Sequence, residues 1–128
     1  MIEIKVGQRA SYERSFTVRD VELFAELSGD KGAHHMKPDS QGRVMLHGLL
    51  TATVPTKLGG DINYIAREIS YEFLRPVFAG ETIRADSVVT SVEPAEDHLK
   101  VAMDFVCYNP SGKEVLRGKT RGVIRTKP

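Results

Sequence analysis

The side chains best suited to chemistry are concentrated in residues 28–48, which hold three of the four histidines in the chain. Asp30 and His35 are the most informative pair. A carboxylate and an imidazole placed together can act as general acid and base when their surroundings separate the two pKa values. The charged and titratable members of the segment are Asp30, Lys31, His34, His35, Lys37, Asp39, Arg43 and His47. A solvated surface loop with incidental histidines is the alternative interpretation.

The position of this pair relative to the predicted helices favours the chemical interpretation. Asp30 and His35 follow the predicted end of one helix, and His47 and Gly48 stand at the predicted start of another. A helix N-terminus offers free N–H groups and a partial positive charge, which stabilise developing negative charge such as that of a thioester oxyanion. An acid/base pair beside such a terminus provides the groups needed to catalyse the addition or removal of water.

The helix that precedes the pair is predicted over residues 18–28. Thr17 and Asp20 form a Ser/Thr-x-x-acid pattern that can cap a helix start, and apolar residues then recur at helical spacing until Gly29. The following stretch, residues 30–41, is polar and rich in turn-forming residues, which predicts a loop.

The helix that follows the pair is predicted over the apolar run from Leu46 to Leu58. Pro55 should kink or shorten it, because proline removes a backbone donor and crowds the carbonyl four residues earlier. Gly59 and Gly60 should end it.

The second half of the chain changes to a period of two, which predicts strands around residues 69–73, 83–89 and 99–107 and a final strand from about Glu114 to Thr126. Turn signals separate them, so consecutive strands should pair as an antiparallel meander. Gly118 and Gly122 should mark bulges or close backbone approach. Another strand is possible around residues 12–18.

These elements predict an α+β fold in which an antiparallel sheet wraps around one central helix, because only the 46–58 helix is apolar enough to fill the sheet. The length of 128 residues suits a single domain over residues 1–128. An exposed sheet edge and a small core favour pairing with a second copy.

Composition excludes several classes of function. Eighteen basic and seventeen acidic residues give a net charge of +1 with no basic run, so nucleic acid is not an expected partner. There is no apolar stretch of membrane-spanning length and no secretion-signal pattern, so we expect a cytoplasmic protein without a membrane partner. The single cysteine, Cys107, alternates with apolar strand residues and is expected in the core rather than as a nucleophile.

Three ordered segments resemble one known family. The run Phe16–Asp30 with His35 five residues later, the run Leu46–Leu50 and the run Phe73–Glu81 are similar to motifs of the MaoC-like family of (R)-specific enoyl-CoA hydratases, which are also 3-hydroxyacyl-thioester dehydratases. The resemblance implies the hotdog fold, with an active site at the interface of a homodimer or a dimer of dimers.

The resemblance also implies roles for individual residues. Asp30 and His35 would be the catalytic pair that activates a water for syn addition to a trans-2-enoyl thioester carried by coenzyme A or acyl carrier protein. Gly48 would polarise the thioester carbonyl through its backbone N–H, and His47 and Tyr64 would contact the substrate. No cofactor and no metal are expected.

The chain departs from the family pattern at several points. Gly32-Ala33 replaces the usual Asn-Pro of the Asp-x-Asn-Pro-x-His motif, and a shift of one residue would give the role of His35 to His34. The spacing to His47 is shorter than is usual in the family, which leaves the acyl pocket more open. Tyr64 could plug that pocket instead of binding substrate.

Other functions remain open at this point. Asp30, His34, His35 and His47 are metal-ligand types, but adjacent histidines rarely converge on one ion and the spacing matches no metal motif. A thioesterase on the same fold and a non-catalytic acyl-CoA binding module are the alternatives to a hydratase.

Overall fold

The structure is a computed structural model that describes residues 3–127. Its strands are β1 Arg9–Ser15, β2 Ile65–Phe73, β3 Thr82–Pro94, β4 His98–Tyr108 and β5 Glu114–Arg125, and its helices are α1 Val18–Ser28, α2 Ala33–Met36, α3 Gly48–Thr51 and α4 Thr53–Asp61.

The strands form one antiparallel sheet in the order β1-β3-β4-β5-β2. The predicted meander is confirmed for β3, β4 and β5, but β2 pairs with β5 instead of with its successor β3. Glycines permit this pairing: a Cβ on Gly118 would lie 2.2 Å from the Ser70 carbonyl oxygen, and one on Gly122 would lie 2.2 Å from that of Ile65. The predicted close backbone approach at both glycines is therefore confirmed.

The central helix is divided in two. The predicted single helix over residues 46–58 begins at Gly48, breaks at Ala52 and continues through Asp61. Pro55 explains the break, because it cannot donate to the Thr51 carbonyl and its ring crowds that group. The helix passes Gly59 and Gly60 and ends only at Asp61.

The core lies between this divided helix and the sheet. Buried apolar side chains from both layers pack together there: Leu50, Val54, Leu58, Ile83, Ala85, Phe105, Cys107, Val115 and Leu116. Cys107 is fully buried, as predicted, and desolvation raises the pKa of its thiol to about 12, so it is not a thiolate nucleophile.

Helix α1 has the bounds that its sequence predicts. Thr17 and Asp20 form a complete capping box, and Gly29 ends the helix in the left-handed conformation with a φ of 79°. The segment after it is not entirely loop, since residues 33–36 form the short helix α2. None of the helices within residues 3–127 combines the length and the hydropathy needed to cross a bilayer.

Candidate active site

Asp30 stands at the first turn after α1, with its carboxylate exposed and its backbone bonded locally. Its N–H donates to the Ser28 hydroxyl at 3.0 Å, and the Gly32 N–H donates to its Oδ1 at 3.1 Å. The Gly32 bond is the main cause that lowers the pKa of the Asp30 carboxyl below its ordinary 3.8, and a positive charge on His35, His47 or His34 would lower it further. The carboxylate is therefore ionised at neutral pH.

His35 lies on α2 with its ring turned into the protein, where only 7% of the residue is exposed. Its Nδ1 lies 2.8 Å from the backbone carbonyl oxygen of Met45. A carbonyl oxygen only accepts, so Nδ1 carries the hydrogen. In the neutral ring, Nε2 is consequently an acceptor, and it lies 3.8 Å from Oδ2 of Asp30.

His47 lies beneath this pair and is 2% exposed. Its Nε2 donates to the backbone carbonyl oxygen of Asp30 at 2.8 Å. Its ring stacks on His35 with centroids 3.8 Å apart and planes inclined by 20°, and it contacts Phe24 on a second side at 4.9 Å. The His34 ring also contacts His35, with centroids 3.9 Å apart and planes inclined by 56°, so two imidazoles pack against the His35 ring.

Gly48 begins α3 directly after His47. The N–H groups of Leu50 and Thr51 bond to the His47 carbonyl, whereas the first N–H groups of a helix have no acceptor within it. A Cβ at residue 48 would lie 2.6 Å from the Phe73 ring, so a glycine is required for that ring to cover the start of α3.

These four predicted site residues share one cleft of about 570 Å³. Its remaining walls are largely apolar and include Phe24, Met45, Leu46, Leu49, Phe73, Leu74, Pro76, Val77 and Val115. His34 also lines the cleft, but His35 is the histidine that is buried, bonded through Nδ1 and turned toward Asp30.

The position predicted for Tyr64 needs correction, because this residue does not reach the cleft. Asn63, with a φ of 56°, turns the chain after α4 so that the Tyr64 ring lies over Gly122. The Tyr64 hydroxyl donates to the Val101 carbonyl and contacts the Thr120 hydroxyl, both at 3.2 Å. Tyr64 lines a separate, smaller cavity of about 210 Å³ and therefore does not plug the cleft.

Sequence reasoning missed one kind of contributor to the site. The backbone carbonyl of Asp30 bonds to the His47 ring, and that of Met45 bonds to the His35 ring. Every residue has a backbone carbonyl, so the residue types give no signal for these two acceptors. Alternation on a strand favours a core position for Phe73 and leaves a place in an acyl pocket as the alternative; the side chain is 54% exposed and lines the cleft.

A metal is the other ligand to consider, since Asp30, His35 and His47 each offer a ligand atom within 4.8 Å of the others. The ring geometry does not fit an ion well. The lone pair of an imidazole nitrogen lies in the plane of its ring, so two stacked rings direct their lone pairs along nearly parallel planes instead of toward one point. One nitrogen of each ring is also engaged with a backbone carbonyl. The absence of a metal stays a prediction.

Comparisons with known proteins identify clear relatives. The (R)-specific enoyl-CoA hydratase of Rhodospirillum rubrum is 32% identical over 132 aligned positions, which cover 95% of this chain and 89% of the relative. The (R)-hydratase of A. caviae involved in PHA biosynthesis is 25% identical with a TM-score of 0.82 over 98% of each chain. The unliganded R-hydratase PhaJ1 of Pseudomonas aeruginosa is 25% identical with a TM-score of 0.84 over 98% of this chain and 84% of that one.

No protein-family model matches this chain. The likeness to the solved hydratases, together with the sheet order and the central helix, confirms the predicted hotdog fold.

The Gly32 N–H gives a direct test of the Asp30 environment. Gly32 has φ −53° and ψ 142°, which proline can adopt, so Gly32→Pro removes the N–H donor and Gly32→Ala keeps it while adding a similar Cβ. In a ¹³C NMR titration of the side-chain carboxyls, the pKa of Asp30 should lie below 3.8 in the wild type and in the alanine variant and should rise in the proline variant.

The lowered pKa of Asp30 also makes the stability of the fold depend on pH. A carboxyl whose folded pKa is depressed stabilises the fold above the unfolded pKa, and that contribution is lost as the pH falls through the folded pKa. Equal pKa values for Asp30 in the proline and alanine variants would contradict the role of the Gly32 bond.

Proposed function

The chain belongs to the (R)-specific enoyl-CoA hydratase family, and from that premise we propose that it catalyses the reversible syn addition of water to trans-2-enoyl thioesters, giving (R)-3-hydroxyacyl thioesters. The enzyme is a hydro-lyase, and the reverse reaction is the dehydration of the hydroxyacyl thioester. The observation that carries the proposal is the pair of acceptor atoms, Asp30 Oδ2 and His35 Nε2, held 3.8 Å apart beside an apolar cleft.

The separation of this pair suits a water molecule as the nucleophile. A distance of 3.8 Å is too long for a direct hydrogen bond, but a water oxygen can lie within hydrogen-bond distance of both atoms. The ionised Asp30 carboxylate accepts, and His35 Nε2 accepts when the ring is in its neutral form, so such a water would donate one hydrogen to each. Its lone pairs would then face the cleft, which is the orientation needed for attack on C3 of the enoyl group.

Asp30 and His35 can together take up the proton that the water loses and supply the proton that C2 gains. The water oxygen forms a bond to C3 while one of its O–H bonds breaks and the proton passes to the carboxylate or imidazole. The pair then delivers a proton to C2, and it returns to its starting protonation state. Because Asp30 and His35 belong to one wall of the cleft, oxygen and hydrogen would arrive on the same face of the double bond, which is syn addition.

We further propose that the Gly48 N–H donates a hydrogen bond to the thioester oxygen and stabilises the negative charge that develops there. Peptide N–H groups aimed at such an oxygen stabilise the transition state without needing to reorganise. The carrier is coenzyme A or acyl carrier protein. The apolar cleft walls, including Phe73 and Leu74, would cover the acyl group next to the reacting bond.

The function is tested by incubating the protein with crotonyl-CoA and following both the ultraviolet absorbance of the enoyl thioester and the release of free thiol. Asp30→Asn and His35→Ala should each lower kcat for hydration by at least about a hundredfold, which is the usual contribution of a positioned acid or base. Asp39→Asn is the matched control, since Asp39 is an exposed carboxylate of the same segment that pairs with Arg43 and lies outside the cleft.

The control variant should keep the wild-type rate within a few-fold. Thiol release in place of hydration would identify a thioesterase. Binding of crotonyl-CoA without either reaction would identify a binding module, and full activity in Asp30→Asn or His35→Ala would remove that residue from the mechanism.

A homodimer through β2 belongs to the same proposal. The sheet has two outer strands, and β1 presents mainly polar side chains there, as a protected edge does. In contrast, β2 exposes Ile65, Ile69 and Phe73 by 42%, 44% and 54%. Phe73 lines the cleft and Ile69 lines the smaller cavity, so a second copy along β2 would cover both openings.

The assembly is tested with Ile69→Lys, which places a charge at the centre of this apolar row. Light scattering after gel filtration should give the mass of a dimer, or of a dimer of dimers, for the wild type and a smaller assembly for Ile69→Lys. Ala10→Lys adds the same charge to the exposed strand β1 and should leave the mass unchanged. A monomeric wild type, or dissociation by Ala10→Lys alone, would contradict pairing through β2.

A further inference from the structure

We propose that His47 is a positioning residue, which fixes the Asp30 loop and the His35 ring together without itself binding the substrate. The inference rests on the proposed hydratase function and replaces the substrate contact that the sequence assigned to this histidine. It rests on the environment of the two nitrogens of the His47 ring, one of which is hydrogen-bonded and the other buried.

Neither ring nitrogen of His47 is available to a substrate. Nε2 is committed as the donor to the Asp30 carbonyl at 2.8 Å. Nδ1 is buried and has no hydrogen-bond partner within the part of the chain that the structure describes. With one nitrogen engaged by a carbonyl and the other buried, neither is placed to contact a water or a thioester in the cleft.

The bond from Nε2 joins two separate segments of the site. Asp30 belongs to the turn after α1, and His47 precedes α3, seventeen residues later. The segment before α3 is joined to α2 by two other bonds, from His35 Nδ1 to the Met45 carbonyl at 2.8 Å and from the Met45 N–H to the His34 carbonyl at 3.4 Å. Loss of the His47 donor would therefore release the carboxylate turn while leaving the other two bonds in place.

The flat face of His47 acts on the second member of the pair. With a centroid distance of 3.8 Å and an inclination of 20°, the His47 ring stacks on His35, and the tilted His34 ring packs against it at 3.9 Å. The Met45 carbonyl fixes one point of the His35 ring, and the stack fixes its plane. Together they determine the direction in which His35 Nε2 points toward Asp30.

The unpartnered Nδ1 shows that His47 is not there only to fill space. A buried polar atom without a partner is unfavourable, and a phenylalanine would fill a similar volume without one. Histidine combines a flat ring for the stack with a donor at the ε position, and the two contacts described above use both properties.

Three substitutions separate these two properties. His47→Gln keeps an amide donor near the ε position and loses the aromatic stack, His47→Phe keeps the stack and loses the donor, and His47→Asn loses both. Each is measured with crotonyl-CoA for kcat and KM and by thermal unfolding. The control is His98→Asn, which changes a histidine on β4 outside the cleft.

The expected result is that His47→Asn lowers kcat by about tenfold to a hundredfold, the effect of a small misplacement of reacting groups, while KM changes less than about threefold. His47→Gln and His47→Phe should each recover part of kcat, in an order that does not follow their melting temperatures. If His47→Asn does not fold, kcat, KM and the melting temperature of His47→Gln and His47→Phe are compared with those of the wild type. A loss of kcat in both variants that does not follow the melting temperature would then support the positioning role.

Three results would overturn the inference: wild-type kcat in both His47→Asn and His47→Phe, a rise of KM alone, or losses of kcat that simply follow the melting temperature. An independent readout keeps the inference distinct from the proposed function. In ¹⁵N-histidine NMR spectra, His35 should be an Nδ1–H tautomer in both proteins, because the Met45 bond is kept, and its ring signals should broaden in His47→Asn because the ring plane loses the stack. An inactive wild type would refute the hydratase, whereas an unchanged His35 spectrum in His47→Asn would refute the positioning role.

Discussion

The hydrogen bond from His35 Nδ1 to the Met45 carbonyl is the contact on which the proposed chemistry of the cleft depends. Because a carbonyl cannot donate, this bond decides which ring nitrogen carries the hydrogen and leaves Nε2 as the acceptor that faces Asp30. A His35 ring flipped by 180° would present the Cε1 carbon there, and the other tautomer would present an N–H. An oriented water, shared with an ionised carboxylate, is compatible only with the first arrangement.

Most of the surrounding structure can be understood as support for that arrangement. The turn after α1 carries Asp30, the short helix α2 carries His35, and the segment before α3 supplies the Met45 carbonyl and the His47 ring. The first two segments are short, and bonds to backbone carbonyls fix them to the third, which is itself bonded to the backbone of Val77 and Ala79. The sheet and the divided central helix provide the rigid, apolar base against which the segments lie.

The sequence predicted those parts of the fold that local interactions determine. The capping-box pattern of Thr17 and Asp20 predicted the start of α1 correctly, and Pro55 predicted the interruption of the central helix. The residue types at positions 30, 35, 47 and 48 indicated the cleft. The pairing of β2 with β5, the inward turn of Tyr64 and the two carbonyl acceptors were not predicted, because each depends on segments distant in sequence or on backbone atoms that every residue shares.

The stereochemical outcome in deuterium oxide tests the central claim most directly, since Asp30 and His35 act on one face of the substrate only if they belong to one wall of the cleft. Crotonyl-CoA would be hydrated in deuterium oxide and the 3-hydroxybutyryl product analysed by NMR. The account predicts the R configuration at C3 with deuterium at C2 on the face that received the hydroxyl group. Anti addition, or deuterium distributed over both faces at early conversion, would contradict a single oriented water held between these two side chains.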